Sequence, residues 1–265
     1  MIPFPNPHNA DKVKLQPAYD IVASKIREVD DDVLIFFAPV TWSDFGAGFS
    51  APPLGDEENS VLAFHYYEAP QFNVGVQLTA FDKAAARLNV ASFLTETARP
   101  GSADGTFARM AEGADKHLQS WATWEWKTFC RESDETLASP SQISEHGACK
   151  TGYGQDFDKD TMLPSDADMS GHARTYPQLV AGNLTKFEYN DDSHDFSMKY
   201  NIDVEIDAPT VIYYSKNLHY ANGVDVTVEG DDVECVEQGD NFIECKGGEG
   251  AVDGAEVSVK LSAKG

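Results

Sequence analysis

The residues in this sequence best suited to chemistry are Trp42, His65, Tyr67, Glu96, Trp124 and Trp126. Each stands at or just past the end of an apolar run. Trp42 follows 33–37, His65 and Tyr67 close 61–67, Glu96 closes 90–96, and the two later tryptophans lie in 120–127. In α/β barrels the carboxyl ends of strands carry the catalytic groups. A carboxylate, a phenol, an imidazole and indoles at one rim suit the cleavage of a sugar linkage. Aromatic faces stack on pyranose rings, and a carboxylate serves as nucleophile or acid/base for an oxocarbenium-like transition state. Taken singly, each residue has a plainer reading: Glu96 as a solvated acid, His65 as a core histidine, the tryptophans as core filling. Their joint placement favours the functional reading.

The elements that must position them come from hydrophobic periodicity. Leu15, Tyr19, Val22, Ile26 and Val29 recur at steps of three and four, which predicts a helix ending at the acidic stop Asp30-Asp31-Asp32. The run Val33-Leu34-Ile35-Phe36-Phe37 then reads as a strand buried on both faces, as in a parallel sheet. Val61 to Tyr67 and Val90 to Glu96 are further runs of this kind, and Ser120 to Lys127 predicts a fourth strand. Between them, Leu78, Phe81, Ala85 and Leu88 mark one helix face, and Phe107, Met110, Ala114 and Leu118 mark another. Such alternation implies a parallel sheet with crossover helices.

Residues 131–175 lose this periodicity and are rich in Gly, Ser, Asp and Pro, as in a functional loop or linker. From about Thr185 onward, short alternating runs predict strands over 186–189, 196–206, 211–214, 224–228, 233–236, 242–245 and 257–261. Turn residues separate them, which suits a small β-sandwich. The expected organisation is therefore an α/β unit over 1–175, including the loop-rich stretch, and a β-sandwich over 176–265.

The 265 residues carry 20 Lys plus Arg against 44 Asp plus Glu, a formal charge of -24. That surface repels phosphate backbones and anionic membranes, which argues against nucleic-acid partners. No apolar run approaches the ~20 residues of a membrane span. Residues 185–265 hold 6 basic and 18 acidic residues, read as a solvated face because no EF-hand spacing occurs. Met1 is followed by Ile-Pro-Phe-Pro-Asn-Pro, without the basic and apolar regions of a signal peptide.

Four cysteines fall in two sequence-local pairs. Cys235 and Cys245 flank a turn between predicted strands, where a cross-strand disulfide is feasible, and Cys130 and Cys149 could close the loop after the fourth strand. No C-x-x-C or His-rich spacing suggests zinc. With the Asn183-Leu184-Thr185 sequon, these cysteines favour an oxidising secretory route.

Several segments together resemble family 5 glycoside hydrolases, and within them the endoglycoceramidase branch. They are Leu15 to Asp20, Ile35 to Trp42, Phe64-His65-Tyr66-Tyr67, Phe93-Leu94-Thr95-Glu96 and Leu118 to Lys127, with Arg174 to Gly182 opening that branch's C-terminal β-sandwich. The resemblance implies an incomplete (β/α)8 barrel, strands five to eight of eight, followed by the sandwich. Glu96 then matches the strand-seven nucleophile, and Tyr67 the strand-six tyrosine that hydrogen-bonds it. His65 matches a companion in the substrate cleft, and Trp124 the strand-eight tryptophan that stacks on the sugar, with Trp126 as its alternative two residues on. Ala38 stands where the branch commonly has Glu, and Thr97 where an aromatic usually follows the nucleophile.

The family's acid/base glutamate belongs to an Asn-Glu-Pro motif at the end of strand four, and these 265 residues contain no such motif. The expectation is a chain lacking the N-terminal half of its barrel, inactive alone and derived from a secreted retaining glycosidase. The parent enzyme would cut between glycan and ceramide without metal or organic cofactor. Its partners would be a glycolipid or oligosaccharide and the other barrel half. The alternatives are a glucanase or steryl-β-glucosidase on the same scaffold, or a non-catalytic carbohydrate- or lipid-binding protein.

Overall fold

A computed structural model describes residues 7–40, 46–68, 71, 73–98, 105–124, 170–230 and 232–265. Among these, residues up to Trp124 form one compact unit, and all from Ser170 onward belong to a second.

The first unit opens with a short helix α1 (Pro7–Ala10), a wider π-type turn over Asp11–Leu15, and α2 (Gln16–Arg27). Four strands follow: β1 (Ile35–Phe37), β2 (Ser60–Tyr66), β3 (Ala91–Thr97) and β4 (Ser120–Thr123). Helix α3 (Val74–Leu88) lies between β2 and β3, and α4 (Thr106–Lys116) between β3 and β4. The strands pair in sequence order, all parallel. Asn73 caps α3 by accepting the Gly75 N–H at 2.9 Å, and Asn89 ends it in the left-handed region at φ 54°.

One face of this sheet packs on the helices. Phe37, Leu62, Phe64, Tyr66 and Leu94 meet Leu78, Phe81, Ala85 and Leu88 of α3 and Phe107, Met110 and Ala114 of α4. The Phe64 and Phe81 rings stack with centroids 4.0 Å apart. Burying each such side chain contributes about 1.5–3 kcal/mol.

Several sequence expectations need correction here. The covered stripe of the first helix runs through Leu15, Tyr19 and Ala23, whereas Val22 and Val29 point to solvent, Val29 at 89% exposure. Tyr19 sets that rotation: its hydroxyl accepts the Ala38 amide at 2.9 Å, and its ring meets Phe37 and Phe49 edge-on. Only β2 is buried along both faces. Strand β1 is shorter than expected, since Val33 and Leu34 precede it, and its Phe36 is 45% exposed against Phe93 on the sheet face away from the helices. The fourth strand ends at Thr123, and the rest of the run, from 125, lies outside the described residues.

The second unit is all antiparallel. Its strands are β5 (Tyr176–Leu179), β6 (Gly182–Tyr189), β7 (Phe196–Ile202), β8 (Thr210–Tyr213), β9 (Val224–Glu229), β10 (Val233–Gln238), β11 (Phe242–Gly247) and β12 (Glu256–Ala263). They make two four-stranded sheets, ordered β10-β11-β8-β5 and β6-β7-β12-β9. Met198, Tyr200, Val257, Val259 and Leu261 from one sheet share a core with Ile212, Ile243 and Cys245 from the other. Alternate residues of β7 are buried, the period-two pattern of a half-buried strand. That strand stops at Ile202, not at 206, because Asp203 turns the chain and its side chain accepts the Glu205 N–H. Strand β5 went unrecognised because it is four residues long, includes Pro177, and has three of its four residues exposed.

Candidate active site

The candidate site lies at the carboxyl end of the parallel sheet, where β2 and β3 end side by side. His65 and Tyr67 are two residues apart on extended chain and so project to one face, away from the face carrying Phe64 and Tyr66. Glu96 joins that face through an irregularity. Phe64 pairs with Leu94, but the next pair is His65 with Glu96, so Thr95 is an extra residue in β3. The Thr95 hydroxyl donates to the Phe64 carbonyl at 3.2 Å, which anchors this bulge. Strict alternation through β3 would have turned Glu96 toward the helices. With the bulge, Leu94 and Thr97 are both fully buried while Glu96 stands beside His65.

The resulting geometry is compact. The Tyr67 hydroxyl donates to Glu96 Oε1 at 2.7 Å, the length of a strong charge-assisted hydrogen bond. His65 Nδ1 lies 3.8 Å from the other oxygen, Oε2, within electrostatic range but beyond hydrogen-bond distance. The Glu96 side chain is 28% exposed, so one side of the carboxylate remains open to an incoming molecule. A carboxylate held from one side by a phenol and open on the other can attack an electrophilic carbon or bind a cation-like centre.

Next along the chain from Tyr67, Glu68 accepts from Arg109 of α4 at 3.0 Å and from the Tyr66 hydroxyl at 3.3 Å. Among the described residues, no group of three or more His, Cys, Asp or Glu converges as metal ligands. No helix among them is long and apolar enough to cross a membrane.

Sequence-predicted residues thus separate into three sets. Glu96, Tyr67 and His65 come together. Trp124 directly follows β4 and is 59% exposed, and its backbone N–H donates at 2.8 Å to the carbonyl of Thr97, the neighbour of Glu96. Trp42, Trp126, Cys130 and Cys149 lie outside the described residues. Cys235 and Cys245, directly opposed in the β10–β11 ladder, form a disulfide. Asn183 is exposed on β6, an edge strand among the described residues, with the Thr185 hydroxyl donating to the Lys199 carbonyl. Sequence reasoning missed Gln71, whose buried amide holds the backbone under Tyr67 and His65. Its only signal is a polar residue four positions after the tyrosine, too common a spacing to single out.

A parallel sheet with a carboxylate–phenol pair at its carboxyl rim is the arrangement of a glycoside hydrolase, and the chain belongs to family 5 of that class. Residues 3–129 match the model for cellulase (glycosyl hydrolase family 5), and residues 174–260 match the glycoside hydrolase family 5 C-terminal domain.

Within the family its similarity is to endoglycoceramidases. It is 35% identical over 228 residues to the endoglycoceramidase of Cyanea nozakii, covering 84% of this chain and 42% of that protein. The endoglycoceramidase of Hydra vulgaris is 32% identical over 224 residues, 82% of this chain and 39% of the relative. The chain therefore spans about two fifths of the length of these curated relatives. In fold it is similar to endo-glycoceramidase II from Rhodococcus sp., solved as a ganglioside GM3 complex. The TM-score is 0.66 at 17% identity, covering 98% of this chain and 56% of that one.

Proposed function

We propose that this chain supplies the nucleophile half of a retaining β-glycosidase that cleaves the bond between glycan and ceramide in glycosphingolipids. The observation that carries this reading is the 2.7 Å hydrogen bond from Tyr67 to Glu96 at the rim of the parallel sheet. The family membership and the endoglycoceramidase relatives support the reaction and the substrate class.

In this reading Glu96 attacks the anomeric carbon, the leaving alkoxide of ceramide takes a proton from a second carboxyl group, and a glycosyl-enzyme ester forms. Water then hydrolyses the ester with the second carboxylate as base. Tyr67 holds the Glu96 oxygen it touches, leaving the other free to attack, His65 lines the cleft, and Trp124 or Trp126 stacks on the sugar ring. The second carboxyl group must lie about 5–5.5 Å from Glu96. Residues 1–265 hold no Asn-Glu-Pro motif to supply it.

The four strands are thus strands five to eight of an eight-stranded barrel, with the later strands forming its β-sandwich. Two observations favour this: among the described residues the parallel sheet has β1 and β4 as edges, and Phe36 lies exposed on the face turned away from the helices. A barrel partner would pair those edges and cover that face. The disulfide and the exposed sequon at Asn183 support passage through an oxidising secretory compartment.

The test is hydrolysis of a ganglioside by the protein carrying both barrel halves, with Glu96→Gln beside it. The expected result is release of intact oligosaccharide and its abolition in the variant, with glycolipid binding retained. Cleavage of cellulosic or steryl substrates alone would overturn the substrate class. Binding without turnover would overturn the enzyme reading, and near-full activity in Glu96→Gln the assignment of the nucleophile.

A further inference from the structure

We infer that Gln71 is a positioning residue, a clamp that fixes the backbone from which Tyr67 reaches Glu96. The ladder shows where it acts. The last register pairs of β2 with β3 are His65 with Glu96 and Tyr66 with Thr97, so Tyr67 stands past the hydrogen-bonded strand. Its phenol nevertheless has to meet a carboxylate oxygen at 2.7 Å. A side chain at a strand end moves with its backbone, and the tyrosine ring lengthens that lever.

Gln71 constrains that backbone from a buried position, 6% exposed. Its Oε1 accepts the Tyr67 N–H at 2.6 Å, and its Nε2 donates to the His65 carbonyl at 3.4 Å. Its own backbone N–H donates to the Tyr67 carbonyl at 3.2 Å, closing the turn. One residue therefore satisfies both backbone polar groups of Tyr67 and a third from His65, the two residues that flank Glu96. Buried backbone groups at a strand end need such partners. A carboxamide fits the task because it alone among side chains of this length accepts and donates at once without charge. Glutamate would lose the bond to His65, and methionine would lose both.

The kinetic consequence rests on the proposed role of Glu96, but the geometric one does not. Gln71→Met and Gln71→Glu are made in the protein carrying both barrel halves, and each is crystallised and assayed beside Tyr67→Phe. In Gln71→Met the Tyr67 hydroxyl is expected beyond hydrogen-bond reach of Glu96. kcat is expected to fall roughly 10-fold or more at little-changed KM, since a misplacement of ~1 Å can cost ~10²-fold. Because the clamp acts through the phenol, Gln71→Met in the Tyr67→Phe background should add less than about twofold. A merely structural role would instead give additive losses that follow the fall in Tm.

Should Gln71→Met fail to fold, Gln71→Glu carries the same comparison, with a smaller displacement because its acceptor is kept. A phenol that stays bonded to Glu96, or losses additive with Tyr67→Phe, would overturn the clamp. If Tyr67→Phe alone turns over normally while the phenol is displaced in the Gln71 variants, the clamp stands and the catalytic reading of Tyr67 falls.

Discussion

His65 is paired with Glu96 and not with Thr95, although the preceding pair is Phe64 with Leu94. That single extra residue determines which side of the sheet the carboxylate occupies. Bulges recur beside active sites because they re-aim one side chain while the strand on either side keeps its packing. Here Leu94 and Thr97 remain in the buried layer at 0% exposure, and Glu96 gains the face shared by His65 and Tyr67.

The Tyr67 hydroxyl is the direct hydrogen-bond donor to Glu96, so its removal is the sharpest probe of this arrangement. A hydrogen bond to a charged group contributes about 1.5–3 kcal/mol, which corresponds to roughly 10- to 100-fold. Tyr67→Phe in the protein carrying both barrel halves is therefore expected to lower kcat by that factor and leave KM within about twofold. Steady-state hydrolysis of a ganglioside measures both. A change confined to KM would place Tyr67 in substrate binding instead.

Much of this arrangement was legible in the sequence, for a physical reason. Strand ends of a parallel sheet gather chemistry-bearing residues, and the runs ending at Tyr67 and Glu96 were long and apolar enough to be recognised. What periodicity could not show was the face on which Glu96 projects, since alternation through Leu94-Thr95-Glu96 points it inward and only the Thr95 bulge reverses that. Gln71 was hidden because its role is to bond backbone groups, which leaves no residue pattern. The first helix was found but rotated, because Val22 and Val29 are apolar by composition while the hydrogen bond between Tyr19 and Ala38 decides which stripe is covered.

The Cys235–Cys245 disulfide joins two directly opposed residues of adjacent strands separated by 10 positions. On the loop-entropy account, a closure of that size stabilises by roughly 3 kcal/mol at most. Cys245 is buried in one core with Ile243 and Ile212, so that end of the crosslink packs in the core while the bond pins the β10–β11 hairpin. Cys235→Ser with Cys245→Ser should raise amide exchange along 233–247 and lower the denaturant midpoint of the second unit. Native-state exchange of the oxidised and substituted proteins checks this. Unchanged protection along that hairpin would show that the core alone holds it.

The second unit should also lose stability on mild acidification through His219. This residue ends a helical turn, Lys216–His219, and its ring stacks on His194 with centroids 3.9 Å apart. Its Nε2 donates to the Ser170 carbonyl at 3.0 Å, and the partner ring's Nδ1 is bonded to the Tyr189 hydroxyl at 2.9 Å. Burial first, and the neighbouring His194 second, hold the His219 pKa below its ordinary 6.5, while the Ser170 carbonyl and Asp191 oppose them more weakly. The folded state therefore favours the neutral imidazole, and the unfolded chain binds the proton more readily near and below pH 6.5. Stability is then fully present above that pH and falls as the solution is acidified through the lowered folded value. His219→Gln keeps a donor for Ser170 but cannot titrate. Urea unfolding between about pH 7.5 and 5 should show the native protein losing more stability than this variant, the difference growing toward the acidic end. Parallel curves for the two proteins would mean that His219 contributes nothing to the acid sensitivity.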